Sequence, residues 1–462
     1  MAYTDIFPVM RNAKKTETRK KAYEAFGTRC KDNNVAVLKD IVTKRQELAE
    51  ILGFDSDASY QLDIKMAKTT EGVLSFLENM TKALEPSFKK DYADLLALKK
   101  KDHPEATCLY AYDRLYYQTI HTKQQYSVDH EAIREYFPLP HVLKELFNIY
   151  QTILSLKFVE AKQDDNNVWH KDVRKYNVYD KETNAHMGAF YMDLHPRDGK
   201  FTHAACYPIV LPFVDTSGTR HPVHTSILCN MTKPQKDKPS LLLFSEVETI
   251  FHEFGHLMHS ICSKNSHGRL NWTWSAVEQD FLEVPSMMLQ NWVYDKSILK
   301  KMSCHYKTTD PLPDELIKKI QATKNVHEAT AWRRLIFMSR FDMAIHMPGF
   351  RDVMKDPEPV WQDIKKKCFP YLDGDLKRVS YASWMHMASG YDAGYYGYLW
   401  SEVFAKDLFT RFQKEGVLNT KIGKQFRDEI LAPCALRDGG DMLKAFLGRE
   451  PSNEAFISDM TS

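Results

Sequence analysis

His252, Glu253 and His256 are the residues in this sequence whose types and spacing most directly imply chemistry. They stand in the string His252-Glu253-Phe254-Gly255-His256, which fits the His-Glu-x-x-His pattern of zinc hydrolases. On a helix, residues four apart are neighbours on one face, so both imidazoles can reach one metal ion. Glu253 lies on the same side of the turn, beside the metal rather than on it, where a general base is needed.

The flanking sequence reads as that helix. Ser245 is the expected N-cap, and acidic residues fill the first turn. Apolar residues recur at Val247, Ile250, Phe251, Phe254, Leu257, Met258 and Ile261, a spacing that buries one side of the segment.

A catalytic zinc takes a third protein ligand and keeps one position open for water. A metzincin continuation would place a glycine and a third histidine where His259 and Cys262 stand, which removes that class. Cys262 in an apolar helix reads as a small core residue. The remaining source is the carboxylate-rich stretch Val277–Glu283, placed in a helix expected over Ala276–Tyr294. Glu283 precedes Val284, Pro285 and an apolar run, so it is expected to face inward, with Glu278 on the solvated side. Asp280, one turn earlier, either accepts the far N–H of a ligating imidazole or serves as a first-turn helix carboxylate. His259 reads as packed or hydrogen-bonded.

A second cluster runs from His386 to Tyr398, with Tyr391, Tyr395, Tyr396, Gly390, Gly394 and Gly397 inside it. The glycines would keep a loop mobile and let backbone approach a ligand. Tyrosine hydroxyls on such a loop can donate to the oxyanion that forms when water adds to a peptide carbonyl. Tyr391 and Tyr398 are read that way, and Tyr396 as packing.

These residues need helices to carry them, and the chain supplies helices. With 462 residues a large core is available, and 63 basic against 61 acidic residues give no argument for nucleic acid or an anionic membrane. Neither a signal peptide nor a membrane span is legible, and eight scattered cysteines fit reduced thiols in the cytoplasm. Helical patterns dominate up to Lys157, among them Asn34–Leu52, Thr70–Leu84 and His141–Leu156. Strands are expected over Val168–Tyr179, Ala185–Leu194 and His224–Thr232, then helices again, including His327–His346 and Tyr395–Gly416. The expectation is a mainly α protein with one small β-sheet beside the metal helix. Its division is drawn as a helical lobe over 1–157 and a catalytic lobe over 158–462, the two intertwined.

Beyond the motif, Phe244–His259, Asp280–Ser286, Met192–Lys200 and Tyr391–Ser401 resemble the thimet oligopeptidase family of zinc peptidases. That resemblance implies two mostly helical lobes flanking a deep channel. It implies one zinc per chain, held by His252, His256 and Glu283, with Glu253 as base and proton shuttle. His386, Tyr391 and Tyr398 would contact substrate or stabilise the transition state, and the partners would be short unstructured peptides met by a monomer. Family members carry a further N-terminal helical segment with no counterpart before Met1. Gln279 stands where an arginine is expected, and Ser389 where a glycine is. The alternative function is a partial copy that holds zinc and binds peptides without cleaving them.

Overall fold

The computed structural model describes residues 3–126, 129–162, 167–271, 273, 276–373 and 380–461. Its contacts divide the chain into two compact units. One comprises Met1–Ser127, Ala322–Leu399 and Ile457–Ser462; the other comprises Val128–Gln321 and Trp400–Phe456. The chain passes between the units at 127/128, 321/322, 399/400 and 456/457.

The first unit is helical. Its long helices include Lys31–Ile51, Thr70–Ala83, Glu85–Asp102, Glu328–His346 and Pro357–Cys368. Thr69 caps the Thr70–Ala83 helix by accepting from the Gly72 amide. Phe88, Phe341 and Trp361 are almost wholly buried among these helices. Asp113, fully buried, accepts from Arg19 at 2.6 Å and pairs with Lys99 at 2.7 Å, so its charge is compensated on two sides.

The second unit holds the five-stranded sheet: β1 Leu156–Glu160, β2 Arg174–Asp180, β3 His186–Asp193, β4 Ala205–Val210 and β5 Val223–Leu228. The spatial order is β1-β2-β3-β5-β4, antiparallel except for the parallel β3/β5 pair, and β4 is an edge strand. Gly188 permits the β3/β5 approach, since a Cβ there would come within 2.6 Å of the Val223 carbonyl oxygen. An aromatic core of Phe147, Phe158, Phe190 and Phe254 joins helix Leu139–Ile153, the sheet and helix Phe244–Cys262, with Phe190 and Phe254 centroids 5.5 Å apart. Among the described residues no helix is long and apolar enough to cross a membrane.

Several expected elements shift. The helix read through Leu156 stops at Ile153, because Ser155 turns into the left-handed region (φ 51°) and the chain leaves as β1. The strand expected from Val168 starts only at Arg174, while those expected near 185 and 224 form β3 and β5. Strand β4 was not foreseen. It contains Pro208, which sits at a register shift on a sheet edge, where a missing amide donor is tolerated.

The β3 end is fixed by charge. Asp193, fully buried, accepts two bonds from Arg197, both 2.7 Å, one from Lys200 at 2.9 Å and one from Trp169 Nε1 at 2.9 Å. Lys200 also donates to the carbonyls of Asp193 and His195, both at 2.8 Å, tying residues 193–200 into one turn. Burial works against the charged carboxylate, but the Arg197, Trp169 and Lys200 bonds outweigh it and hold Asp193 well below the usual range.

Candidate metal centre

The motif helix runs from Phe244 to Cys262. Glu246 secures its start by accepting from the Leu243 backbone N–H at 2.7 Å, and Leu243 is the N-cap. Ser245 therefore lies inside the first turn, contrary to the expected cap, and its carbonyl accepts from Thr249 Oγ1 at 2.8 Å. All seven apolar stripe residues are buried to 1% exposure or less, which fixes the rotation of the helix and hence the direction of the motif residues.

His252 and His256 rings lie 4.9 Å apart, nearly perpendicular. Glu283 Oε2 is 3.2 Å from His252 Nε2 and 3.0 Å from His256 Nε2. One ligand atom from each of the three residues falls within 4.8 Å of the others, so a single cation can be shared. Two imidazole nitrogens and one carboxylate oxygen form a donor set that suits a transition metal and fits the zinc expectation.

Glu283 reaches this position by a route other than the long helix expected. The regular helix covers only Val284–Gln290, followed by a 3₁₀ turn over Asn291–Tyr294. Glu283 is its N-cap, and Pro285 occupies the first turn, where a missing N–H costs nothing. Asp280 and Glu283 are thus in a turn rather than one above the other on a helix face. Asp280 is buried, and its carbonyl accepts from Ser401 Oγ at 2.7 Å. Glu278, expected to be solvated, instead accepts from the Gly439 backbone N–H at 2.5 Å. Ser286 Oγ donates to the Glu283 carbonyl at 2.9 Å and approaches its Oε2 at 3.1 Å, restraining the carboxylate.

Two supports escaped the sequence reading. Gly255 lets the second helix pack directly on the first, because a Cβ there would come within 2.6 Å of Ser286 Cα. Gln290 Oε1 meets His252 Nδ1 at 3.3 Å, orienting that imidazole from behind. The signal for Gln290 was its place seven residues after Glu283, two turns along the same helix face.

The site is electrostatically polarised. Burial raises Glu253 above the usual carboxylate range, and the neighbouring His256 and His252 and a backbone hydrogen bond from Cys206 on β4 only partly reverse this. Burial disfavours a charged His252, yet the Glu283 carboxylate more than compensates and raises it. For Glu283 burial again opposes ionisation, and His256 and His252 overcome it, holding the carboxyl well below normal. His259 is fully buried with neither ring nitrogen hydrogen-bonded among the described residues, and burial pushes it down to about 3.

His386, Tyr391 and Tyr398 belong to the other unit, where they cluster with one another. The Tyr391 and Tyr398 rings stack 5.5 Å apart and 7° from parallel, and His386 lies 5.1 Å from Tyr391 and 6.1 Å from Tyr398. All three are half-buried, whereas Tyr396 is fully buried, as its packing reading requires. Burial lowers His386 below the usual imidazole range.

A half-buried and a buried histidine with a carboxylate, and a second, protonatable carboxylate beside them, make an arrangement suited to metal-assisted hydrolysis. Comparison with known proteins gives the same direction. The model for peptidase family M3 matches residues 9–462, and the chain belongs to this family of metallopeptidases. Saccharolysin of Saccharomyces cerevisiae is 39% identical across 99% of this chain and 65% of its own length. Thimet-like oligopeptidase of Dictyostelium discoideum is 35% identical across 99% and 69%, and oligopeptidase A of Escherichia coli 33% identical across 97% and 67%. The chain thus spans about two-thirds of the length of these relatives. Among solved structures, PZ peptidase A in complex with an inhibitor superposes with a TM-score of 0.59 at 13% identity, covering 99% of this chain and 69% of that one. A carboxypeptidase of Pyrococcus furiosus gives 0.50 at 12% identity, covering 100% and 80%. At those identities the likeness is one of fold, and it agrees with the mainly α peptidase architecture expected.

Proposed function

We propose that this chain is a zinc-dependent endopeptidase that hydrolyses internal bonds of short, unstructured peptides. The observation that carries this reading is the convergence of His252, His256 and Glu283 ligand atoms within 4.8 Å, with buried Glu253 alongside. These three side chains would hold one zinc per chain. When bound, the ion supplies a Lewis acid that polarises a carbonyl oxygen and lowers the pKa of water toward about 7.

Glu253 is assigned the proton transfers. Its burial raises its proton affinity, so it can take a proton from the attacking water and return it to the departing amine nitrogen. Ser286 and Gly255 hold Glu283 in place, and Gln290 fixes the tautomer of His252. His386, Tyr391 and Tyr398 are assigned to substrate contact, which the sequence resemblance and their mutual clustering support. The eight cysteines form no disulfide among the described residues, which supports a cytoplasmic setting.

The test is incubation of purified, zinc-loaded protein with an internally quenched fluorescent nonapeptide, with and without a chelator. Cleavage that stops on chelation and returns with added zinc is expected. Stoichiometric zinc with bound but uncleaved peptide would overturn the reading.

A further inference from the structure

Asp342 lies on the Glu328–His346 helix and is fully buried. Its carboxylate accepts from three consecutive backbone amides: Ala393 at 2.9 Å, Gly394 at 3.0 Å and Tyr395 at 3.0 Å. His346 Nδ1 adds a fourth contact at 2.9 Å. Three successive N–H groups curling around one point make a nest of the kind that captures anions. Here the protein fills the nest with its own side chain.

Arg45 holds the same segment from the Lys31–Ile51 helix. Its guanidinium donates to the Met387 carbonyl at 2.7 Å and pairs with the Asp392 carboxylate at 3.0 Å. Buried Lys65 donates to the Asp392 carbonyl at 3.3 Å. The bonds fall next to His386, next to Tyr391 and just before Tyr398. Between them Ala393 takes a left-handed conformation, φ 46°, which a residue with a Cβ adopts only under restraint. A loop whose only task was to connect helices would not need a buried carboxylate, a buried lysine and a half-buried arginine to set its course.

We propose that Asp342, assisted by Arg45, is the positioning residue of the Tyr391–Tyr398 loop, setting the spacing of the two phenols and His386. This rests on the reading that those side chains contact substrate. Asp342 itself is not a catalytic residue, because it acts only through the loop it holds.

Asp342→Asn replaces one accepting oxygen with an amide nitrogen that cannot accept, so part of the nest is lost. In the full, zinc-loaded chain we expect kcat to fall about ten- to a hundredfold with KM little changed, the size of effect that misplaced catalytic groups produce. Bound zinc should stay stoichiometric, and backbone amide exchange should quicken in the peptide covering 393–395. Unchanged kcat, unchanged exchange, or a rate loss that tracks lost zinc would each overturn the proposal. If Asp342→Asn does not fold, Arg45→Lys decides by the same readings, since a lysine cannot reach the Met387 carbonyl and the Asp392 carboxylate together. Wild-type protein that cleaves no peptide would sink the enzyme reading, while the exchange measurement still reports on the loop.

Discussion

Gly255 and Ser286 are in such close register that a single added methyl group at Gly255 would overlap the Ser286 backbone, at 2.6 Å from its Cα. The neighbour is main chain and cannot rotate away, so the two helices must separate. Since Glu283 is the N-cap of the second helix, separation moves the carboxylate away from both imidazoles. Gly255→Ala is expected to cost about 1–3 kcal/mol in denaturant unfolding, the usual range for overpacking, and to weaken zinc binding in a competitive chelator titration.

Glu253→Gln keeps shape and hydrogen bonding but removes the proton acceptor. Turnover should drop about 10²- to 10⁴-fold while metal analysis still finds one zinc per chain. Near-normal turnover would remove Glu253 from its assigned role.

Gln290→Leu deletes the partner behind His252 without altering a ligand. A loss of about 10- to 100-fold in zinc affinity is expected, since second partners of ligating imidazoles contribute on that scale. Affinity equal to wild type would show that the 3.3 Å contact does not orient the ring.

His259 gives a pH dependence whose sign follows from its burial. Its folded-state value is pushed down to about 3, whereas the unfolded imidazole titrates near 6.5. Above pH about 6.5 both states are neutral and the residue contributes no slope. Below that, the unfolded chain takes up a proton that the folded one refuses, so stability falls by about 1.4 kcal/mol per pH unit toward pH about 3. His259→Leu should flatten that part of the profile in urea unfolding measured at about pH 6.5 and about pH 4.5. An unaltered slope would mean that other groups set it.

What the sequence made legible follows from how local the cause was. The stripe from Val247 to Ile261 repeats with the helical period, so both the helix and its buried face could be read directly. The start of the next helix was misread by about two turns because carboxylates suggested a long helix, although Pro285 marked the true first turn. Strand β4 was obscured by Pro208, which argues against a strand unless the strand is known to be at an edge. Asp342 could not be found at all. Its partners lie some fifty residues further on, and no periodicity connects an aspartate in one helix to three amides in a distant loop. The grouping of His252, His256 and Glu283 was legible because two share a helix turn and the third sits before a proline and an apolar run.

The second unit is interrupted by residues 322–399, and this fixes the order in which a growing polypeptide can complete it. His252, His256 and Glu283 have all been translated by residue 283, yet the bonds from Ser401 to Asp280 and from Trp292 to the Val417 carbonyl need residues made much later. So does the contact of Gly423 with the Ile153 backbone, which leaves no room for a side chain at Gly423. On the ribosome, the helices that carry His252, His256 and Glu283 must therefore wait for more than a hundred further residues with apolar surface uncovered. Nascent chains stalled between about residue 300 and residue 400 should be the form of this protein most dependent on chaperones.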